Sequence, residues 1–270
     1  MQQAIITFWH RAIDRKNRVF IWASLLVLVL TLAEGLQPLD HLFRLSRSGL
    51  FLQDAKPKLA IVLVDNASIN RFGEWPWERK DIANLVTAID RAGAKRMAFE
   101  HVFVPNQDDA GTAALARAFD ALPQRPIIAA SYEIDRAGSE RKLKWPDRQL
   151  SAHAQVAISS FPISYMGYLL TIENSVLVDG RELPSMAAAL AGQPKNRGLD
   201  DYVDYSIRPE SIPQVSATDV LAGRANDQLK GRQVLISSSR NEVLLPRVGS
   251  ARFVMGHAMS AATLMEGAQR

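Results

Sequence analysis

Residues 58–103 read KLAIVLVDNASINRFGEWPWERKDIANLVTAIDRAGAKRMAFEHVF, and this stretch decides the fold class. Leu59 to Val64 is an unbroken apolar run ending at Asp65. Continuous rather than alternating hydrophobicity marks a strand covered on both faces, as in a parallel sheet. Asn, Gly and Pro then break the chain. From Lys80 to Ala92, the residues Ile82, Leu85, Val86 and Ile89 recur at helical spacing, and Gly93 stands where such a helix closes. KRMAFEHVF follows as a second buried strand. Strand, helix and strand at this length form a right-handed βαβ unit. The expected fold is α/β, with one mixed, mostly parallel sheet and helices on both faces.

The same rhythm runs on toward the C-terminus. Asp109 to Leu122 is expected as a helix capped near Asp108, and PIIAASYEI (126–134) as a third strand. Residues 135–150 are a polar hairpin excursion. Pro184 to Ala191 reads as a helix with proline near its first position, and Val203 to Ile207 as a short strand. Ser216 opens a short helix to Gly223 as its N-cap. RQVLISSS is a further buried strand, and His257 to Gly267 a closing helix.

Toward the N-terminus, Arg11, Arg15, Lys16 and Arg18 precede the apolar run Val19 to Ala33. About twenty residues are needed to cross the hydrocarbon core as a helix. Residues 19–39 reach that length with Glu34 near the outer headgroups, where a carboxylate costs less than at mid-bilayer. Pro38 is expected to end the span. Basic residues on the near side keep residues 1–18 in the cytoplasm, so residues 40–270 form a periplasmic domain. Residues 40–56, with Leu42, Phe43, Leu45 and Leu50, are read as a stalk helix or as the first surface helix of the fold. A cleavable signal peptide is the competing reading, because Ala33-Glu34-Gly35 loosely fits a small-x-small site. Both readings export everything after Leu39.

Composition excludes several function classes. The chain has 270 residues, 47% of them apolar and 22% charged, which is ordinary for a globular protein. Its formal charge of +4 is spread among acids rather than gathered in a stripe, so no nucleic-acid partner is expected. The absence of cysteine removes disulfides, thiol catalysis and thiolate metal sites. His41, His101, His153 and His257 lack short ligand spacings, and His10 lies on the cytoplasmic side, so no metal is expected. Neither a P-loop nor a Gly-x-Gly-x-x-Gly follows a strand. No Gly-x-Ser-x-Gly elbow surrounds Ser237, Ser238 or Ser239 to pair with His257. No cofactor and no catalysis are expected.

The candidate ligand-binding residues are Asp65, Ser68, Trp77, Arg79, Glu100 and His257. Asp65 and Glu100 end two strands, side by side or one strand apart, and ligands of open α/β sheets bind at the carboxyl ends of strands. Asp65 and Ser68 are equally what a turn after a strand requires. Trp75, Pro76 and Trp77 with Arg79 could wall a planar or anionic ligand, or form a rigid turn packed as core. Arg79 could instead be used up in an ion pair with Asp65 or Glu100. An acid–base hydrolase built on Asp65 and Glu100 would need both carboxylates in one cleft with opposed pKa shifts.

These residues carry a resemblance. An apolar strand ending in Asp65 with Ser68 after it, the turn Gly73-x-Trp75-Pro76-Trp77-x-Arg79, the break at Gly93 and a strand ending in Glu100 before Phe103 resemble the CHASE2 family. So do LKGRQVLIS (229–237), Leu245-Pro246 and Met255-Gly256-His257-Ala258. The likeness covers roughly residues 40–267. It departs from the family where Asn66 follows Asp65, where Glu100 replaces an aspartate, and in the middle of the chain, where ENSVLVDG stands for an Asp-x-Asp-Gly-like motif. CHASE2 domains are extracytoplasmic sensors of bacterial signalling proteins, set after a transmembrane helix and ahead of a cytoplasmic output domain such as a cyclase or kinase. The resemblance implies a single-pass inner-membrane sensor with a homodimer or partner membrane protein, an unidentified small-molecule or protein ligand, and an output domain beyond residue 270 or on a partner chain. The alternative is an assembly subunit of an envelope complex that uses a sensor-like domain to hold a protein partner.

Overall fold

A computed structural model of the chain describes residues 15–32, 37–56, 58–106, 108–134, 141–164, 166–192, 201–238 and 242–267. The chain divides into two compact units, Met1–Arg47 and Ser48–Arg270.

The first unit contains helix α1 (Arg15–Leu32) and most of helix α2 (Gln37–Ser48). Val19 to Leu32 carries no charged residue and rises about 20 Å as a helix, against a hydrocarbon core of roughly 30 Å. Among the described residues no helix is long and apolar enough to cross a membrane. Residues 33–36, part of the expected 19–39 span, lie outside the described residues. Pro38 does not end a helix but sits in the first turn of α2, where its missing N–H has no partner to lose. The expected stalk helix over residues 40–56 is also corrected. It stops at Ser48, and Gln53–Asp54 pairs as a short strand with Ile207–Arg208, its Gln53 N–H donating to Ser206 O at 2.9 Å.

The second unit is built on a seven-stranded sheet. Its strands are β1 (Leu59–Leu63), β2 (Arg96–Phe99), β3 (Ile127–Ile134), β4 (Arg141–Lys144), β5 (Gln155–Ile158), β6 (Gln214–Ser216) and β7 (Gln233–Ser237). The order is β6-β1-β7-β2-β3, with β4 and β5 both beside β3. Every pairing is parallel except β3 with β4. Strand β7 therefore lies between β1 and β2, with Ile236 opposite both Val62 and Phe99.

Successive strand residues face opposite sides, and both sides are covered. Ala60, Val62, Val64, Met97, Phe99, Val234 and Ile236 form one core with helices α4 (Arg79–Arg91), α5 (Asp109–Asp120), α8 (Ala217–Leu221) and α9 (Asn226–Leu229). The alternate residues Leu59, Ile61, Leu235 and Ala98 are buried on the other side, where α7 (Met186–Ala191) and α10 (Phe253–Glu266) pack on the sheet. Helix α4 buries Ile82, Leu85, Val86 and Ile89, the stripe that the spacing predicts, and Gly93 follows it at φ +78°. Ser216 caps α8 as expected. Pro184 instead ends a strand, and Ser185 caps α7, because its hydroxyl accepts from Ala188 N. In place of the expected strand over Val203–Ile207, short strands lie at Asp201–Tyr202 and Ile207–Arg208.

Candidate functional site

Two parallel strands end side by side in helix caps, and the caps share one carboxylate. After β1 the chain turns at Asp65, the N-cap of helix α3 (Asn66–Phe72). Asp65 Oδ1 accepts from Ser68 N at 3.0 Å and Ser68 Oγ at 2.8 Å. It also accepts from Ser216 Oγ at 3.0 Å, at the end of neighbouring β6. Burial pushes the Asp65 carboxyl up, but the donors from Ser68 and Ser216 outweigh it and hold it below the ordinary aspartate value. Asp65 is thus a fixed anion at neutral pH.

Beside it opens a cleft of about 470 Å³ at the carboxyl end of the sheet. Asp65, Asn66 and Ala67 line it, together with Ser238, just after β7. A hairpin, β8 (Glu242–Leu245) and β9 (Gly249–Arg252), also contributes to the lining through Glu242 and Arg252. Arg252 is also the residue from which α10 starts. The lining offers two carboxylates, one guanidinium, an amide and a hydroxyl. That set can hold a small polar molecule by complementary charge. The sequence reading missed Glu242, Ser238 and Arg252. The hairpin lacks an alternating pattern strong enough to place it at the end of the sheet.

The other candidates lie elsewhere. Ser68 is fully buried and serves Asp65. Glu100 follows β2, so the whole of β7 separates it from Asp65, roughly 10 Å at ordinary strand spacing. Its N–H donates to Ile236 O at 3.0 Å. Its Oε2 is buried with no hydrogen-bond partner among the described residues. Burial pushes this carboxyl up to about 7, and a hydrogen bond with Ser237 offsets part of that rise. The two acids are shifted in opposite directions, yet Glu100 is not among the residues lining the cleft.

Trp77 is buried as packing. Its Nε1 donates to Gly73 O at 3.0 Å, and its ring lies 4.9 Å from Phe72 and 5.7 Å from Trp75. Arg79, only 4% exposed, spends its donors inside the protein. It donates to Val104 O at 2.7 Å, to Asp147 Oδ2 at 2.9 Å and to Thr112 Oγ1. Its carboxylate partner is therefore Asp147, not Asp65 or Glu100. Asp147 also caps helix α6 (Arg148–Ala152), accepting from Gln149 N at 2.9 Å. An aspartate between proline and arginine ahead of a short helix is a cap signal that could have drawn attention to it.

His257 lies inside α10, with its ring 4.8 Å from Phe161 and 5.4 Å from Phe253. Burial pushes it down to about 4, partly offset by a backbone hydrogen bond with Ser159, so it is neutral at physiological pH. Gly256 lets the helix approach this closely, because a Cβ there would meet Phe161 Cζ at 2.8 Å. Of the six candidates, the structure brings only Asp65 to the cleft wall, with Ser68 behind it. Among the described residues, no three His, Asp or Glu side chains gather as a metal site.

Comparison with known proteins adds one finding. The family model of the CHASE2 domain matches residues 19–265. No curated protein and no solved structure matches the chain.

Proposed function

The chain belongs to the CHASE2 family, whose members are extracytoplasmic sensor domains, and from that membership we propose that it is the non-catalytic input module of a bacterial signalling system. In this reading residues 19–39 anchor it in the inner membrane with residues 1–18 in the cytoplasm. The domain from residue 40 onward lies in the periplasm and works as a homodimer or with a partner membrane protein. The cleft beside Asp65 takes a small polar ligand.

One observation carries this reading: α10 connects the cleft to the point where the chain enters the domain. Arg252, at its start, lines the cleft. At its far end Glu266 Oε1 accepts from Lys56 N at 2.9 Å, and Met265 O accepts from Lys58 Nζ at 3.0 Å. A ligand that favours one position of Arg252 would bias a rod about 20 Å long whose other end holds the segment leading into β1.

The test is a melting screen of the full chain in detergent against amino acids, dicarboxylates and diamines. Ligand at a hundred times Kd stabilises by about 2.7 kcal/mol, or about 5–10 °C for a domain of this size. Ala67→Trp, which fills the cleft from an exposed position, should abolish the shift. If no class shifts the melting temperature, or if Ala67→Trp keeps the shift, the cleft is not the sensing site. The assembly-subunit alternative is favoured by the internal use of Trp77, Arg79 and His257. It requires ligand indifference together with a protein partner that co-purifies.

A further inference from the structure

Helix α2 is two-faced in a way that a stalk does not need. At 100° per residue, Leu42, Phe43 and Leu45 fall on one arc of the helix, Arg44 opposite that arc and Arg47 at its edge. Leu42 is 61% exposed and Phe43 67% exposed. The chain then continues through Gly49 into Leu50, Phe51 and Leu52, which are 78%, 70% and 47% exposed. A helix of 12 residues rises about 18 Å, too little to span a bilayer. Low overall hydrophobicity, a sharp apolar face bearing Phe and Leu, and arginines on the polar side are the marks of a helix that lies in a membrane interface.

We propose that α2 lies flat in the outer headgroup layer of the membrane, with Leu42 and Phe43 in the lipid, instead of rising from the bilayer as a stalk. This rests on the anchoring reading above. Residues 33–36 can separate the end of α1 from the start of α2 by at most ~18 Å. With the charge-free stretch Val19–Leu32 in the bilayer, that reach keeps Gln37 within range of the interface. Charge selects lipid over a second copy of the helix. The helix carries Arg44 and Arg47 against the lone acid Asp40, a balance that suits anionic headgroups. A parallel pair of the same helices would set Arg47 beside its own copy at the edge of the seam.

The chain has no cysteine, so a single introduced cysteine is the only thiol to label. Leu26→Cys, Phe43→Cys and Arg44→Cys would each carry an environment-sensitive fluorophore on the full chain, reconstituted in vesicles of phosphatidylcholine and phosphatidylglycerol. The Phe43→Cys label should be quenched by brominated lipid and shielded several-fold from aqueous iodide relative to the Arg44→Cys label. Equal iodide quenching at 43 and 44 would overturn the proposal in favour of a stalk in water. Shielding at 43 from both quenchers would overturn it in favour of a helix covered by a second copy. The Leu26→Cys label separates the two layers of inference. If it escapes brominated lipid, the anchoring reading falls; if it is quenched while the label at 43 is not, only the flat helix falls.

Discussion

Replacing Glu100 with glutamine should stabilise the protein at high pH and leave it unchanged in acid. The carboxyl is pushed from an ordinary 4.5 up to about 7 by burial, with Ser237 offsetting part of the rise and Oε2 otherwise without a partner among the described residues. A group raised in the folded state holds its proton longer there than in the unfolded chain. Its contribution is therefore intact below pH 4.5 and is lost as pH rises through about 7. At 1.36 kcal/mol per pH unit, the loss is about 3 kcal/mol. His257 acts in the opposite sense. Burial lowers it from 6.5 to about 4, so the unfolded chain takes up protons first, and stability falls as pH drops through that window. The two slopes largely cancel in the wild type between pH 4.5 and 6.5, which is why the difference between wild type and Glu100→Gln is the quantity to measure. Melting both across pH 4.5 to 8.5 should show coincident curves at the acid end. Above pH 7.5 the variant should lead by about 6–12 °C, taking 2–4 °C per kcal/mol. Because the group is buried, the gap should survive 0.5 M salt, which screens surface charge. Parallel curves across the whole range would refute a buried, proton-holding Glu100.

Arg79→Met strands the Asp147 carboxylate, which is 12% exposed, and should cost about 3–5 kcal/mol; the melting temperature should fall by about 10 °C and partly recover in Arg79→Met with Asp147→Leu. Asp65→Ala removes the α3 cap and leaves the fully buried Ser68 hydroxyl with only the 3.3 Å contact to Ser216 Oγ, a loss of about 1–3 kcal/mol. Asp65→Asn keeps an acceptor oxygen in place and should cost less than about 1 kcal/mol in a denaturant titration, so equal losses in the two variants would show that the cap is not what Asp65 supplies.

The parts of the fold legible in the sequence are those whose physical cause is local. The stripe on α4, its closure at Gly93, and the caps Asp108 and Ser216 each depend on residues a few positions apart, and each stands where its spacing puts it; the turn expected after Asp65 is instead the first turn of α3, which Asp65 caps. Helix α10 starts at Phe253, four residues before the His257 that the sequence suggests. That helix is buried nearly all round, and without an amphipathic stripe periodicity carries no boundary. The place of β7 between β1 and β2 was not legible either. Its pairing partners are distant in the chain, and an unbroken apolar strand carries no mark of its neighbours. Arg79 and Asp147 stand 68 positions apart for the same reason. A charge destined for burial is visible in a sequence, but the carboxylate that meets it is a property of topology.

The opposite shifts of Asp65 and Glu100 show where local sequence does reach the site. Both acids end parallel strands of one sheet. After Asp65 the chain runs Asn66-Ala67-Ser68, so three positions on it supplies a backbone N–H and a hydroxyl to the same oxygen. After Glu100 it runs His101-Val102-Phe103, with no hydroxyl and no helix to cap. The described donor to Glu100 is Ser237 on the adjacent strand. Donors near in sequence therefore keep Asp65 charged at the wall of the cleft, and their absence lets desolvation raise Glu100 to about 7. The acid that can meet a charged ligand and the acid that answers to pH are distinguished by the three residues that follow each.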